Sequence, residues 1–162
     1  MPCPCCQHGL EVIGSRKRSC RNENGEKMVL IIRRMRCEAC RKIHHELPDI
    51  LVPYKRYTAE SIEQVSNEAE PIDVAADEST LYRWRRWFSE WAPYALGCLT
   101  SIAMRFHFDL PVEGSSDCPL AVLQSFGRED GKSTGWLAKV VRPITNIHLW
   151  IHTRSAFLSA CH

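Results

Sequence analysis

Cys3-Pro4-Cys5-Cys6 and Cys37-Glu38-Ala39-Cys40 are two knuckles of the form Cys-x-x-Cys, with thirty residues between them. A two-residue gap lets both thiolates of a tight turn face one ion, and two such turns complete a tetrahedral four-sulfur site of the kind zinc prefers. The intervening residues are suited to bringing the turns together. Leu10-Glu11-Val12-Ile13 begins a β-prone stretch, and Met28 to Ile32 is a β-branched run that extends to Arg36. Between them lies Asn22-Glu23-Asn24-Gly25, and Asn-Gly is the strongest short hairpin signal. Lys42 to Leu47 can add a third strand. The pattern predicts a zinc ribbon over residues 1–47, with one structural Zn2+ held by Cys3, Cys6, Cys37 and Cys40. Four protein ligands leave no open position for a catalytic water. Cys5 and His8 are also spaced for chelation, and His44 and His45 lie nearby, so replacement of a ligand by one of these stays open.

The remaining cysteines, Cys20, Cys98, Cys118 and Cys161, have no partner spacing and read as packing or surface thiols. His148 and His152 stand four residues apart but lack a third ligand in the local sequence. Nine cysteines, an odd number, argue against a disulfide framework.

The chain has 162 residues, 44% hydrophobic and 25% charged, which suits one domain or two small modules and excludes wholesale disorder or a coiled coil. The longest uncharged apolar run, Ala92 to Met104, is shorter than the roughly 18 residues of a membrane helix. No basic region followed by an apolar one opens the chain, so a cytoplasmic protein is expected, nucleoid-associated if it binds DNA. Charge falls in blocks. Residues 1–57 carry 12 Lys/Arg against 6 Asp/Glu, residues 58–80 carry 7 acids and no Lys/Arg, and residues 81–107 carry 4 Arg and 1 Glu.

The expected fold class is α+β, a small ribbon module followed by a mainly helical one. Residues 48–57, with two prolines, read as an extended connector in which Lys55 and Arg56, flanked by Tyr54 and Tyr57, can grip phosphates. Residues 58–92 read as a helix-turn-helix. Thr58 caps a first helix with Ile62 and Val65 inside, and a short helical turn spans Ile72 to Ala76. A second helix runs from Ser79 to Trp91 and is stopped by Pro93. On that helix Leu81, Trp84, Trp87, Phe88 and Trp91 share an apolar side. Ser79, Tyr82, Arg83, Arg86 and Ser89 face out, flanked by Arg85, and such a face can enter a major groove. Residues 93–162 read as helical scaffold. It comprises a buried Tyr94–Phe108 helix, a short helix from Leu120 to Phe126, and a Trp136–Ile151 helix that Pro143 kinks or breaks.

These motifs, together with His45-Glu46-Leu47-Pro48-Asp49, Pro53-Tyr54-Lys55-Arg56-Tyr57 and Ser79-Thr80-Leu81-Tyr82-Arg83-Trp84, resemble an uncharacterised bacterial family. Its members carry a zinc ribbon and a homeodomain-like helix-turn-helix, similar to the DNA-binding part of insertion-sequence transposases. The resemblance implies DNA handling. It does not extend to a nuclease domain, for which 162 residues leave little room. No nucleophile elbow, phosphate loop, HExxH motif or open metal site is evident, so an enzyme is not expected.

The expected function is therefore duplex-DNA binding. Ser79, Tyr82, Arg83, Arg85 and Arg86 would read bases, while Arg16, Lys17, Arg18, Arg33, Arg34 and Arg36, with Lys55 and Arg56, would hold phosphates. A homodimer would extend the site read. The competing expectation is a protein-interaction module that docks a partner through the acidic 58–80 segment, without touching DNA.

Overall fold

The hairpin forms where the Asn-Gly signal puts it. The structure is a computed structural model and describes residues 2–66, 72–110, 118–128, 134–150 and 155–156. Strand β1 (Leu10–Arg21) pairs antiparallel with β2 (Lys27–Cys37), from Leu10 opposite Cys37 to Arg21 opposite Lys27. Gly25, at φ 78°, takes the left-handed position of the turn, and the Asn22 side chain closes the loop on Glu26. Strand β3 (Ile43–Glu46) adds antiparallel to β2, and β4 (Ser155–Ala156) adds parallel to β3.

The sheet shows the period-2 alternation of a half-buried surface. Cys20 and Ile32 are buried in the main core, with Met28 and Leu30 packed against it, whereas Val29 and Ile31 look out. The same core takes in Leu47, at the end of the ribbon, and Leu51 and Val52 of the connector, and runs on through all the described helices. Ribbon and helices therefore share one core, as an α+β fold.

The connector is not extended. Leu51 N–H donates to Pro48 C=O at 3.0 Å and Lys55 N–H to Val52 C=O at 3.2 Å, so two turns fold it back. Pro53 precedes Tyr54, whose φ of 63° completes the second turn. The cause is tertiary: Arg18 Nη2 donates to both Val52 C=O and Lys55 C=O, at 3.2 and 3.0 Å, and holds the turn against β1.

Helix α1 (Ala59–Glu63) is capped by Thr58 and continues as a 3-10 turn, Gln64–Ser66. The short helical turn expected over Ile72–Ala76 is absent. That segment is nonhelical, with Ala75 N–H donating to Glu23 C=O at the hairpin tip at 2.7 Å. Helix α2 (Glu78–Phe106) then runs 29 residues, starting at Asp77, whose Oδ1 accepts from Thr80 N–H at 2.7 Å.

Pro93 does not stop α2. A proline inside a helix costs about 3 kcal/mol, but the apolar stripe continues beyond it through Ala95, Leu99 and Ile102, all buried. Burying a Leu or Ile gains about 1.5–3 kcal/mol each, and Pro93 itself lies on the exposed side. Burial wins. The expected full burial of the second half fails at its end, where Met104 and Phe106 are exposed.

Helices α3 (Pro119–Gly127) and α4 (Trp136–Asn146) complete the described fold. Helix α4 contains Pro143 and ends three residues after it, rather than at 151. Its first turn is capped from a distance by Glu63 of α1, which accepts from Gly135 N–H and, at 3.2 Å, from Leu137 N–H. Burial pushes the Glu63 carboxyl above its usual range, against the pull of those two N–H groups. Glu63→Ala leaves both donors unmet, the Leu137 N–H in a buried place and the Gly135 N–H in a half-buried one. It is expected to lower stability by about 3 kcal/mol, read as a fall in the urea midpoint; an unchanged midpoint would dismiss the cap.

Candidate metal centre

The two knuckles have the same backbone design. In the first, Cys3 N–H donates to His8 C=O and Gln7 N–H to Cys3 C=O, both at 2.8 Å. In the second, Cys37 N–H donates to Lys42 C=O at 3.0 Å and Arg41 N–H to Cys37 C=O at 3.1 Å. Each turn closes on a residue with left-handed φ, Gln7 at 63° and Arg41 at 59°. This close turn is why two residues must separate the cysteines of each pair. The hairpin register then carries the second turn to the first, since Leu10 follows one knuckle and Cys37 opens the other.

The outcome is four sulfurs within 4.8 Å of one another, from Cys3, Cys6, Cys37 and Cys40. Cys3 and Cys40 Sγ are 3.8 Å apart, and Cys6 and Cys37 Sγ 3.4 Å. A tetrahedral ion with metal–sulfur bonds of about 2.3 Å needs sulfurs about 3.8 Å apart, so this cluster can hold a metal ion. Burial pushes the Cys3 thiol up to about 12, while the His8 N–H and then Cys37 hold Cys6 at about 6. A cation among them reverses the burial penalty and lets all four act as thiolates.

The candidate replacements separate. His8 is exposed and its Nδ1 lies 2.9 Å from Cys6 C=O. His45 lies opposite Arg34 across the sheet. Cys5 and His44 stay close: His44 is fully buried, with Nε2 3.4 Å from Cys3 Sγ and 4.0 Å from Cys5 Sγ. His148, set aside from the sequence for want of a third local ligand, also lies close. It follows α4 rather than lying on it, and its Nε2 is 3.0 Å from Cys5 Sγ. Its companion His152 lies outside the described residues.

The basic residues divide into engaged and exposed ones. Arg18 is spent on the connector carbonyls, not on solvent. Arg33 is paired with Glu46 through two hydrogen bonds of 2.5 and 2.7 Å. Lys55 is half-buried, 4.0 Å over the Trp87 ring, and burial holds its amine down at about 8. Arg56, Arg16 and Lys17 are exposed, and Arg34 and Arg36 half-buried.

On α2 the inward side is that of Trp84, Phe88 and Trp91, with Trp87 half-buried, while Tyr82, Arg83, Arg85 and Arg86 are exposed. Arg83 folds back on Ser79 and Thr80, Arg86 pairs with Glu90 at 2.8 Å, and the Ser79 hydroxyl donates to Asp77. Within the acidic block Glu63 is buried and caps α4, Asp77 caps α2 while staying exposed, and Glu68 and Glu70 lie outside the described residues.

Two arginines and a histidine form a row across three strands. Gly14 faces Arg34 and Arg34 faces His45, and Arg16, two residues from Gly14, shares their side of the sheet. Burial, and behind it the charges of Arg16 and Arg34, hold the His45 imidazole below its usual range. Neither arginine has an ion pair among the described residues.

Among the described residues no helix is long and apolar enough to cross a membrane. A family model described as Domain of unknown function (DUF6431) matches residues 3–84, which include all four cysteines of the cluster. No curated protein and no solved structure matches the chain.

Proposed function

This chain belongs to the DUF6431 family of domains of unknown function, and we propose that it is a zinc-containing protein that binds duplex DNA. The four-cysteine cluster is the zinc site: a tetrahedral all-sulfur set suits that ion, and its closed shell makes the ion structural. The observation that carries the DNA reading is the pair Arg16 and Arg34, which share one side of the sheet beside His45. Like charges held side by side favour an anion above them, and a phosphate backbone supplies a line of anions. The exposed Tyr82, Arg83 and Arg86 face of α2 supplies the groups that would meet base edges. In this reading α2 plays the recognition helix of a helix-turn-helix, and the likeness to the DNA-binding part of transposases is retained as part of the proposal.

Anisotropy of a labelled random-sequence duplex against the zinc-loaded chain, over a salt series, tests it. Affinity is expected to fall steeply with salt. Arg34→Ala is expected to weaken binding to all sequences alike and to lower the log–log salt slope by about 1. Arg86→Ala is expected to relax sequence preference with little change in slope. Absence of duplex binding even at low salt overturns the proposal and favours a protein-docking module.

A further inference from the structure

Beside the four-sulfur cluster stands a second group of donors that the first ion does not use. Cys5 comes from the first knuckle, His44 from β3, and His148 from the turn after α4. Cys5 and His44 meet with Cys3 at one spot, and His148 approaches that group from the Cys5 side. Cys3, Cys5 and His44 offer ligand atoms all within 4.8 Å of one another, and His148 Nε2 is 3.0 Å from Cys5 Sγ. The His44 and His148 rings lie stacked, 5.9 Å between centroids.

His148 is placed there by the local backbone. Leu149 N–H donates to Ile144 C=O at 3.0 Å and His148 N–H to Thr145 C=O at 3.1 Å, which is the Schellman closure of a helix. Its left-handed position is normally given to glycine, yet here His148 occupies it at φ 63°. A side chain kept where glycine is preferred, and aimed at a thiol, is a feature of functional sites.

We infer that the chain binds a second transition-metal ion, held by Cys5, His44 and His148, with Cys3 shared between the two ions. The donor set is two sulfurs and two imidazole nitrogens, a set that suits tetrahedral zinc. For bonds of about 2.3 Å to sulfur and about 2.0 Å to nitrogen, sulfur and nitrogen ligands stand about 3.5 Å apart. The separations of 3.4 and 4.0 Å from His44 to Cys3 and Cys5 and of 3.0 Å from His148 to Cys5 bracket that value, and closure of the site requires the His148 ring to swing from Cys5 toward Cys3 and His44. Charge also favours the second ion. Four thiolates around one dication leave a net −2, and Cys5 as a thiolate makes it −3. A second dication brings the cluster to −1, which the Lys42 ammonium, 3.6 Å from Cys5 Sγ, neutralises. Cys5 gives up its thiol proton to solvent as it binds.

The inference rests on the four-cysteine reading, and counting ions separates the two. The full-length chain, stripped of metal under reducing conditions, is titrated with Co2+ and followed by its visible spectrum, with Zn2+ content checked in parallel. Two equivalents are expected, the first with an all-sulfur spectrum and the second shifted to higher energy by nitrogen ligands. Cys5→Ser and His148→Gly are each expected to bind one equivalent and keep the all-sulfur spectrum. His148→Gly relieves the left-handed backbone, so its loss of an ion does not come from a damaged helix end. One equivalent in the unaltered chain overturns the second site and leaves the first standing. No ion at all overturns both.

Discussion

Cys37→Ser is expected to cost the chain the metal proposed for the four-cysteine cluster and, with it, the folded outer half of the sheet. Cys37 is fully buried at the end of β2, 3.4 Å from Cys6 Sγ, and its sulfur also accepts from Cys40 N–H at 3.4 Å. A hydroxyl is a far weaker ligand for such an ion than a thiolate. Structural zinc contributes on the order of 10 kcal/mol of folding free energy, comparable to the whole stability of a domain, about 5–15 kcal/mol. The loss falls unevenly. Cys20 and Ile32 anchor the hairpin in the main core, whereas Val12, near the knuckles, is 53% exposed. The variant, or the unaltered chain with a chelator, is therefore expected to lose amide protection over 10–15, 33–37 and β3 while α2 keeps most of its own. Full protection of those strands in metal-free protein would remove the structural role of the ion. Acid should act in the same direction, because protons compete with the metal for the thiolates.

Gly127→Ala is expected to destabilise the helical half by about 3 kcal/mol. A Cβ at residue 127 would stand 2.4 Å from Trp136 C=O and 2.5 Å from Trp136 Cα. Both are backbone atoms, so no rotamer change relieves the clash, and α3 must part from α4. Trp136 is fully buried, 5.9 Å from the Phe88 ring, and it begins the helix that carries Val140, Val141 and Ile144 into the core. The measurements are the denaturant midpoint and the near-ultraviolet dichroism of the tryptophans. A midpoint within about 0.5 kcal/mol of the unaltered chain, the usual range for a surface change, would mean that the contact is not as close as described. A shifted α4 also moves His148, so the variant should weaken the second ion before the first.

The parts of this molecule that could be read beforehand are those specified by near neighbours. Knuckle spacing, the Asn-Gly turn, the alternation along β2 and the apolar side of α2 are each local patterns, and the sheet, the four-sulfur cluster and the buried tryptophans follow from them. The errors have a common cause in competition between a local signal and distant packing. Pro93 is a local stop signal, but the apolar stripe on both of its sides finds a core to bury in. The prolines of the connector suggest an extended chain, but Arg18 gathers its carbonyls into a turn. The charge count of 58–80 suggests one acidic surface, but Glu63 is drawn inside to cap α4.

The sequence by itself determined the ribbon and its four-cysteine cluster, because a turn of four residues brings its own donors together. Only the tertiary structure decided which cations remain unengaged, since Arg18 and Arg33 are bound to groups on other elements. It also decided the place of His148, which meets Cys5 across 143 positions of chain. No periodicity can encode such a meeting, because it depends on how α4 seats against the core and where its last turn ends.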